Sequence, residues 1–331
     1  MAAGVITQWE IYQDQYNAGL AEKLAENLDG FNAASQNAIR LSTQDSRGAY
    51  FEEAFFDLNT SLIERRDPTS LSANADSHIT QDSIISPKIT NGIGPIGQTI
   101  NSLKKTGLSE QEYSFVFGQM VGDAIAQDYL KSAISALVAA IGTQSTLVSG
   151  TEASPSSLSH ADLITAMAKL GDQADNITCW VMHSAVYYGL VKQGITDNVW
   201  DVGGMSVKSA TTATMGRPVI VTDNVYTNTT GGVTDPLYHV LGLVPNAMHI
   251  RESEERTMVS ETVTGLDNLL IRFQGEHAYN MTMRGFTYDY ASGGAYPSAA
   301  AVATGTNWDF QMSSVKSGPG VMMQTGLAAP A

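Results

Sequence analysis

Leu108 to Gly142 reads LSEQEYSFVFGQMVGDAIAQDYLKSAISALVAAIG. Ser109 and Glu112 form the S-x-x-E pattern of a helix N-terminus, in which each side chain satisfies a backbone N–H of the other. Phe117, Met120, Val121, Ala124, Ile125, Leu130, Ile134, Leu137, Val138 and Ile141 then recur at helical spacing. No proline intervenes, and Gly142 ends the run. A helix from Glu110 to Ile141 is roughly 48 Å long at about 1.5 Å per residue. Globular helices average about 11 or 12 residues, so this one is a spine along which other elements pack.

Ahead of it, Thr7 and Glu10 form a second S/T-x-x-E start. Trp9, Tyr12, Tyr16, Leu20, Leu24 and Leu28 follow at spacings of three or four. This predicts an amphipathic helix, stopped at Asp29-Gly30, whose narrow stripe lies on another surface. From Gly48 to Asn101 the helical period is gone. Ile, Thr, Ser, Gly and Pro dominate its second half, which predicts an extended hairpin with little core of its own. Such an arm needs a partner to be ordered.

Beyond the spine, VSGTEASPSSLSH (Val148–His160) reads as a polar linker. A helix in ADLITAMAKLG, a strand at Ile177–Met182 and a helix from Ser184 to Lys192 follow. RPVIVTD (Arg217–Asp223) reads as a buried strand and LYHVLGLV as another. The alternation predicts a compact α/β unit. ERTMVSETVTG and DNLLIRFQGEHAYNMTMRGFTYDY read as long strands of a mixed sheet. The tail from Ala291 has anchors at Tyr296, Trp308 and Phe310.

The chain has 331 residues, 43% of them hydrophobic, enough for one large or two smaller domains. Its formal charge of −15, with only 18 Lys and Arg, argues against a grip on nucleic-acid phosphates. A single cysteine excludes an internal disulfide and a Cys-based zinc site. MAAGVITQWEIYQDQ has neither a basic region nor an apolar run of signal length. The apolar run at Ala136–Ile141 is too short to span a bilayer, so a soluble protein is expected.

Several motifs invite chemistry. Gly92-Ile93-Gly94-Pro95-Ile96-Gly97 matches G-x-G-x-x-G, but no helix start follows and Pro95 removes an N–H. It is expected to be a flexible hairpin turn. The six histidines form neither H-x-H nor H-E-x-x-H, and no metal or cofactor is expected. CWVMHSAVYYGLV (Cys179–Val191) places Cys, His and Ser together. As the end of a strand, Cys179 and His183 lie roughly 13 Å apart at about 3.3 Å per residue, too far for a dyad. The expectation is a buried, inert Cys179, with His183 or Ser184 capping a helix. A hydrolase using His183 or Ser184 with distant partners is the weaker alternative. The mixed charge runs Glu64-Arg65-Arg66-Asp67 and Arg251 to Arg256 are solvated faces on the bland reading. On the sharper one, Glu64, Arg65, Arg66, Asp67, Arg251, Glu254 and Arg256 are subunit contacts.

Taken in order, GFNAASQNAIRL (Gly30–Leu41), YFEEAFFDLNTSLIERRD (Tyr50–Asp67), the long helix, GDQADNITCWVMHSAVYYGLVKQ, MGRPVIVTDN and FTYDYASGGAYPSAAAVATGTNWD resemble tailed-bacteriophage major capsid proteins. The fold implied is α+β, of the Hong Kong 97 type, and the group is the major capsid protein 13-like one. The resemblance implies an N-terminal arm (1–47) and an extended loop, or E-loop (48–101), lying over a neighbouring subunit. It implies a spine helix with the peripheral domain (102–149), an axial domain (150–250), and peripheral strands with a C-terminal tail (251–331). It further implies a homo-oligomer of pentamers and hexamers, forming an icosahedral virion head assembled in the host cytoplasm. That head encloses double-stranded DNA without reading its sequence. A portal, a decoration protein and a separate scaffolding protein are the implied partners, and no enzymatic activity or membrane is implied. An encapsulin-like compartment is the alternative within this fold. Some relatives crosslink lysine to asparagine. Lys88, in the hairpin, is a contact candidate, but neither it nor Asn280 sits in a crosslinking motif.

Overall fold

The structure is a computed structural model that describes residues 13–42, 50–56, 65, 68–69, 81–105, 107–150, 157–199, 216–223, 226–227, 237–265 and 267–326. Its first half comprises α1 (Gln13–Ala34), β1 (Ile39–Ser42), β2 (Tyr50–Phe56), β3 (Gln81–Thr99), α2 (Ile100–Lys105), α3 (Glu110–Gly142), β4 (Val148–Ser149), α4 (His160–Ala168) and β5 (Cys179–Met182). Its second half comprises α5 (Ser184–Val199), β6 (Val219–Val221), β7 (Tyr226–Thr227), β8 (Leu237–Leu243), β9 (Met248–Val263), β10 (Leu270–Met283), β11 (Phe286–Tyr288), α6 (Tyr290–Gly293), α7 (Ala299–Val302), β12 (Trp308–Phe310) and β13 (Gly320–Thr325).

The spine is α3, 33 residues long. Its capping box forms as the sequence requires: Ser109 Oγ accepts from the Glu112 N–H at 3.3 Å, and the Glu112 carboxylate accepts from the Ser109 N–H at 2.9 Å. On length and composition alone, Gln111–Gly142 could cross a bilayer. Half of its most apolar stretch is buried in this chain, and Asp123 and Asp128 on it accept hydrogen bonds from Asn27 and Asn91. It is a core helix.

The helix α1 lies along α3, with Tyr16, Leu20, Leu24 and Leu28 buried. The two backbones nearly touch. A Cβ on Gly118 would stand 2.3 Å from the Tyr16 carbonyl oxygen, and one on Gly19 would stand 2.4 Å from that of Phe115. Glycine at these helix-interior sites costs about 1 kcal/mol in propensity but admits the close crossing. The helix does not stop at Asp29-Gly30. It runs to Ala34, because a lone glycine is tolerated and Phe31 still packs on the core. The break comes at Gln36 and Asn37, both in left-handed conformation. Asn32 then holds the return strand: its side-chain amide both accepts from Leu41 N–H and donates to Leu41 O, each at 2.9 Å.

Two sheets pack on the spine. In the seven-stranded sheet β10 is central, antiparallel to β9 on one side and β3 on the other, while β1 joins β9 in parallel. β10 alternates buried and exposed residues up to Glu276 and is then buried on both faces through Met281. The rings of Phe273 on β10 and Phe117 on α3 lie 5.4 Å apart. In the six-stranded sheet the path is β4-β13-β8-β5-β6, with β7 on β8. All seven residues of β8 are buried. One contiguous core runs through both sheets and both long helices.

Several local expectations change. The Gly92–Gly97 motif is not a turn; it lies inside β3, paired with β10 across an irregularity between Phe273 and Gly275. Gly94 sits at φ +84, and a Cβ there would meet the Phe273 carbonyl oxygen at 2.8 Å, so the glycines serve close strand approach. The strand expected in Arg217–Asp223 is only half-buried, because β6 pairs with β5 at the rim of the described sheet. The helix expected to end at Lys192 continues to Val199. Trp308 is buried, with its indole N–H on Val302 O at 2.9 Å, whereas Tyr296 is exposed. The tail does not stay with the late strands: β13 pairs with β8 in the other sheet, where apolar Val321, Met322 and Met323 are buried. The Thr7–Glu10 start lies outside the described residues.

The α1–α3 crossing yields a paired test. Gly118→Ala should destabilise the protein by about 1–3 kcal/mol in urea unfolding, since the methyl meets backbone. Gly189→Ala, on α5 with open space around it, should be neutral or stabilise by up to about 1 kcal/mol. Equal effects would refute the close-approach account.

Candidate assembly surfaces

The hairpin of β2 and β3 has its register from Tyr50↔Pro87 to Phe56↔Gln81. Its second strand is shared with the main sheet, because β3 continues into its pairing with β10 from Lys88 onward. The root is therefore held firmly. Ile85 N–H donates to Thr287 Oγ1 at 2.9 Å, Ser86 Oγ donates to Thr282 Oγ1 at 2.8 Å, and the rings of Tyr50 and Tyr290 lie 5.3 Å apart. β2 itself is thinly covered: Tyr50 and Phe56 are exposed.

Arg251 on β9 clamps this root. Its Nη2 donates to Glu53 Oε1 at 3.0 Å, its Nε to His249 Nδ1 at 3.1 Å, and its guanidinium stands 4.6 Å above the Phe51 ring. The Arg–Glu pair is partly exposed and contributes about 0–1 kcal/mol, with a similar amount from the ring contact. His249 completes the chain. Nδ1 accepts from Arg251, so Nε2 carries the proton and faces Ser42 Oγ at 2.9 Å. Burial, then the charges of Arg251 and Arg40, push its pKa down to about 4.

The other charged candidates separate. Lys88 is largely buried, opposite Asn280 in the β3–β10 register. Arg65 is exposed. Glu64, Arg66 and Asp67 lie outside the described residues. Glu254 and Arg256 belong to β9, Glu254 opposite Ala278, and their side chains are outside the described set. The Arg251 clamp was not legible in the sequence, because Glu53 lies 198 positions away.

The Cys179–Val191 stretch is a strand–helix joint. Cys179 is fully buried in β5, and burial raises its thiol pKa to about 11. His183 is the cap of α5: the Ala185 N–H donates to His183 Nδ1 at 3.1 Å. Ser184 Oγ donates to Asp223 Oδ1 at 2.6 Å, and His183 Nε2 lies 3.5 Å from the same oxygen. The Ser184 hydroxyl and, more weakly, the His183 ring hold the Asp223 carboxyl below the usual range. Three catalytic residue types thus meet, but in the wrong order. A nucleophilic serine gives its proton to the imidazole, with the carboxylate behind the ring. Here Asp223 receives both, and Nδ1 is spent on the backbone. Among the described residues, no group of three or more His, Cys, Asp or Glu could hold a metal ion.

Solved structures of phage origin share this arrangement. The Cyanophage Pam1 capsid asymmetric unit is 11% identical, with a TM-score of 0.51 over 88% of this chain and 89% of that chain. A structure of Microbacterium phage Oxtober96 is also 11% identical, with a TM-score of 0.50 over 89% of this chain and 90% of that one. At such identity the likeness shows the fold, which is that of Hong Kong 97-type capsid subunits. No curated protein matches the chain. The family model described as Gp13-like, major capsid protein 13-like, matches residues 8–322, and the chain belongs to that family.

One buried and one half-buried imidazole, His239 and His249, give a pH test. Burial lowers the pKa of His239 from 6.5 to about 4, as it does for His249. Both rings are harder to protonate folded than unfolded. Their contribution is whole above about pH 6.5 and is lost as pH falls through about 4. Between pH 7 and 4.5 the wild type should therefore lose more stability in urea melts than His239→Gln does. Equal losses would contradict the burial of a neutral His239.

Proposed function

We propose that this capsid protein is the repeating subunit of an icosahedral phage head that closes around double-stranded DNA as pentamers and hexamers. One observation carries the reading: the β2–β3 hairpin is anchored at its root and left thinly covered along β2, in a chain of a major capsid family. Among the described residues β2 pairs only with β3, and a strand with one open edge and exposed Tyr50 and Phe56 is completed by another protein surface. In a shell, that surface is the next subunit. The exposed Arg65 lies in the chain between β2 and β3 and is a contact candidate at the hairpin's far end.

In this reading residues 1–47 are the arm and 48–101 the E-loop. The spine helix and the seven-stranded sheet form the peripheral domain, and the six-stranded sheet forms most of the axial domain. The acidic charge of −15 suits a wall that encloses DNA without gripping it. Assembly in the host cytoplasm uses a separate scaffolding protein and a portal. The role is structural, and the Ser184–Asp223 geometry gives the hydrolase alternative no activated nucleophile.

Negative-stain electron microscopy of the protein, coexpressed with its scaffold, tests this. Closed shells of uniform diameter are the expected result. Monomers alone, with scaffold present, would overturn the proposal.

A further inference from the structure

Beneath the hairpin root lies a cleft of about 610 Å³. Arg40, Arg251 and Arg284 line it, with Glu53 as the only carboxylate among the described residues. In a chain with 33 acidic and 18 basic residues, three guanidiniums to one carboxylate is a local inversion of sign. Glu53 is already taken by Arg251. Arg284 is exposed and held in place by carbonyls, donating from Nε to Ser317 O at 3.0 Å and from Nη1 to Pro245 O at 3.4 Å. Arg40 is exposed too, and neither arginine meets a carboxylate among the described residues. A cation held by neutral carbonyls keeps its charge available, and its side chain is already ordered. His249, at the wall of the cleft, feels the same positive field.

The complementary surface is on this chain. The outward face of α1 carries Glu22, Glu26 and Asp29, all exposed, with small Ala18 and Ala25 beside them. Positions 22, 26 and 29 fall on one stripe, spanning about 10.5 Å at about 1.5 Å per residue. Lys23, paired with Glu26 at 3.0 Å, is the only lysine or arginine in α1. A row of carboxylates flanked by alanines can come close to a cleft wall without steric cost.

We infer that the Arg40–Arg284 cleft is a docking site for the acidic face of α1 on a second copy of this chain. The contact joins two different patches, so it can propagate head-to-tail around a ring. Its charges set register and encounter rate, and salt weakens it. The inference rests on the reading of the protein as a self-assembling subunit and names the surfaces it would use.

A charge swap in the full-length protein tests it, read by analytical ultracentrifugation and microscopy. Arg40→Glu with Arg284→Glu should lower the yield of assembled protein at least about tenfold, as should Glu22→Arg with Glu26→Arg. All four changes together should restore assembly to within about twofold of wild type. Thermal melts of each variant identify any that fail to fold, and for those Arg40→Gln with Arg284→Gln replaces the reversal. Normal assembly of the cleft variants would overturn the inference. So would a folded loss that the swap does not rescue, which would mark the cleft as a site for another anion, such as a DNA phosphate. Wild-type protein that forms small oligomers but no shells would sink the shell reading and leave the swap to decide the docking. Wild type that stays monomeric in low salt would sink both.

Discussion

Everything in this molecule depends on covering one helix. α3 is too long and too apolar to stand in water, and its buried faces need partners along its whole length. α1 covers the first half, at a separation only glycine permits at Gly19 and Gly118. The aromatic contacts of Phe117 with Tyr16 and Phe273 lock that half to the seven-stranded sheet. The second half reaches the other sheet and the tail: Gly142 faces Met322, and a Cβ on Gly305 would meet Ala139 O at 2.9 Å. Two sheets that share little with one another become one body because both pack on the same rod.

The same rod controls the hairpin. Asp128 of α3 accepts from Asn91 on β3 and from Tyr279 on β10. Burial and the nearby Asp128 charge together raise the Tyr279 pKa far above its usual value, so the phenol stays a donor. The root of the hairpin is thus tied to the spine from below, and by Arg251 and Thr287 from the side. A rigid root with an incompletely covered strand is a useful subunit design. The chain's own contacts orient the hairpin, and under the proposed function the rest of its surface meets a neighbour. The family of this chain and the shell structures it resembles give that design its setting.

The sequence made local features legible and non-local ones invisible. The capping box at Ser109 and the unbroken apolar period announced α3 almost to the residue. The change to β-branched residues after Gly48 announced the hairpin, and the long strands β9 and β10 were readable from length and alternation. The joint after Cys179 was readable because strand spacing and capping are both short-range. By contrast, GIGPIG reads as a turn because nothing local reveals that β10 runs beside it. Gly118 and Gly122 carry no side chain to mark a partner, yet α1 approaches most closely there. A glycine pair four apart within a long apolar helix was the available signal of a close crossing. The Arg251 clamp, the Arg284 carbonyl cradle and the crossing of β13 each join residues tens to hundreds of positions apart. No pattern within a window could show them.

The central claim is that the spine and sheet are complete in the free subunit, while the outer strand of the hairpin is completed by assembly. Amide hydrogen exchange on free subunits and on assembled particles measures this directly. The account predicts that α3 and the centre of β10 exchange slowly and equally in both states, and that β2 (Tyr50–Phe56) exchanges quickly in the free protein and becomes protected in particles. Protection of β2 that does not change on assembly, or a spine that gains its protection only in particles, would contradict it.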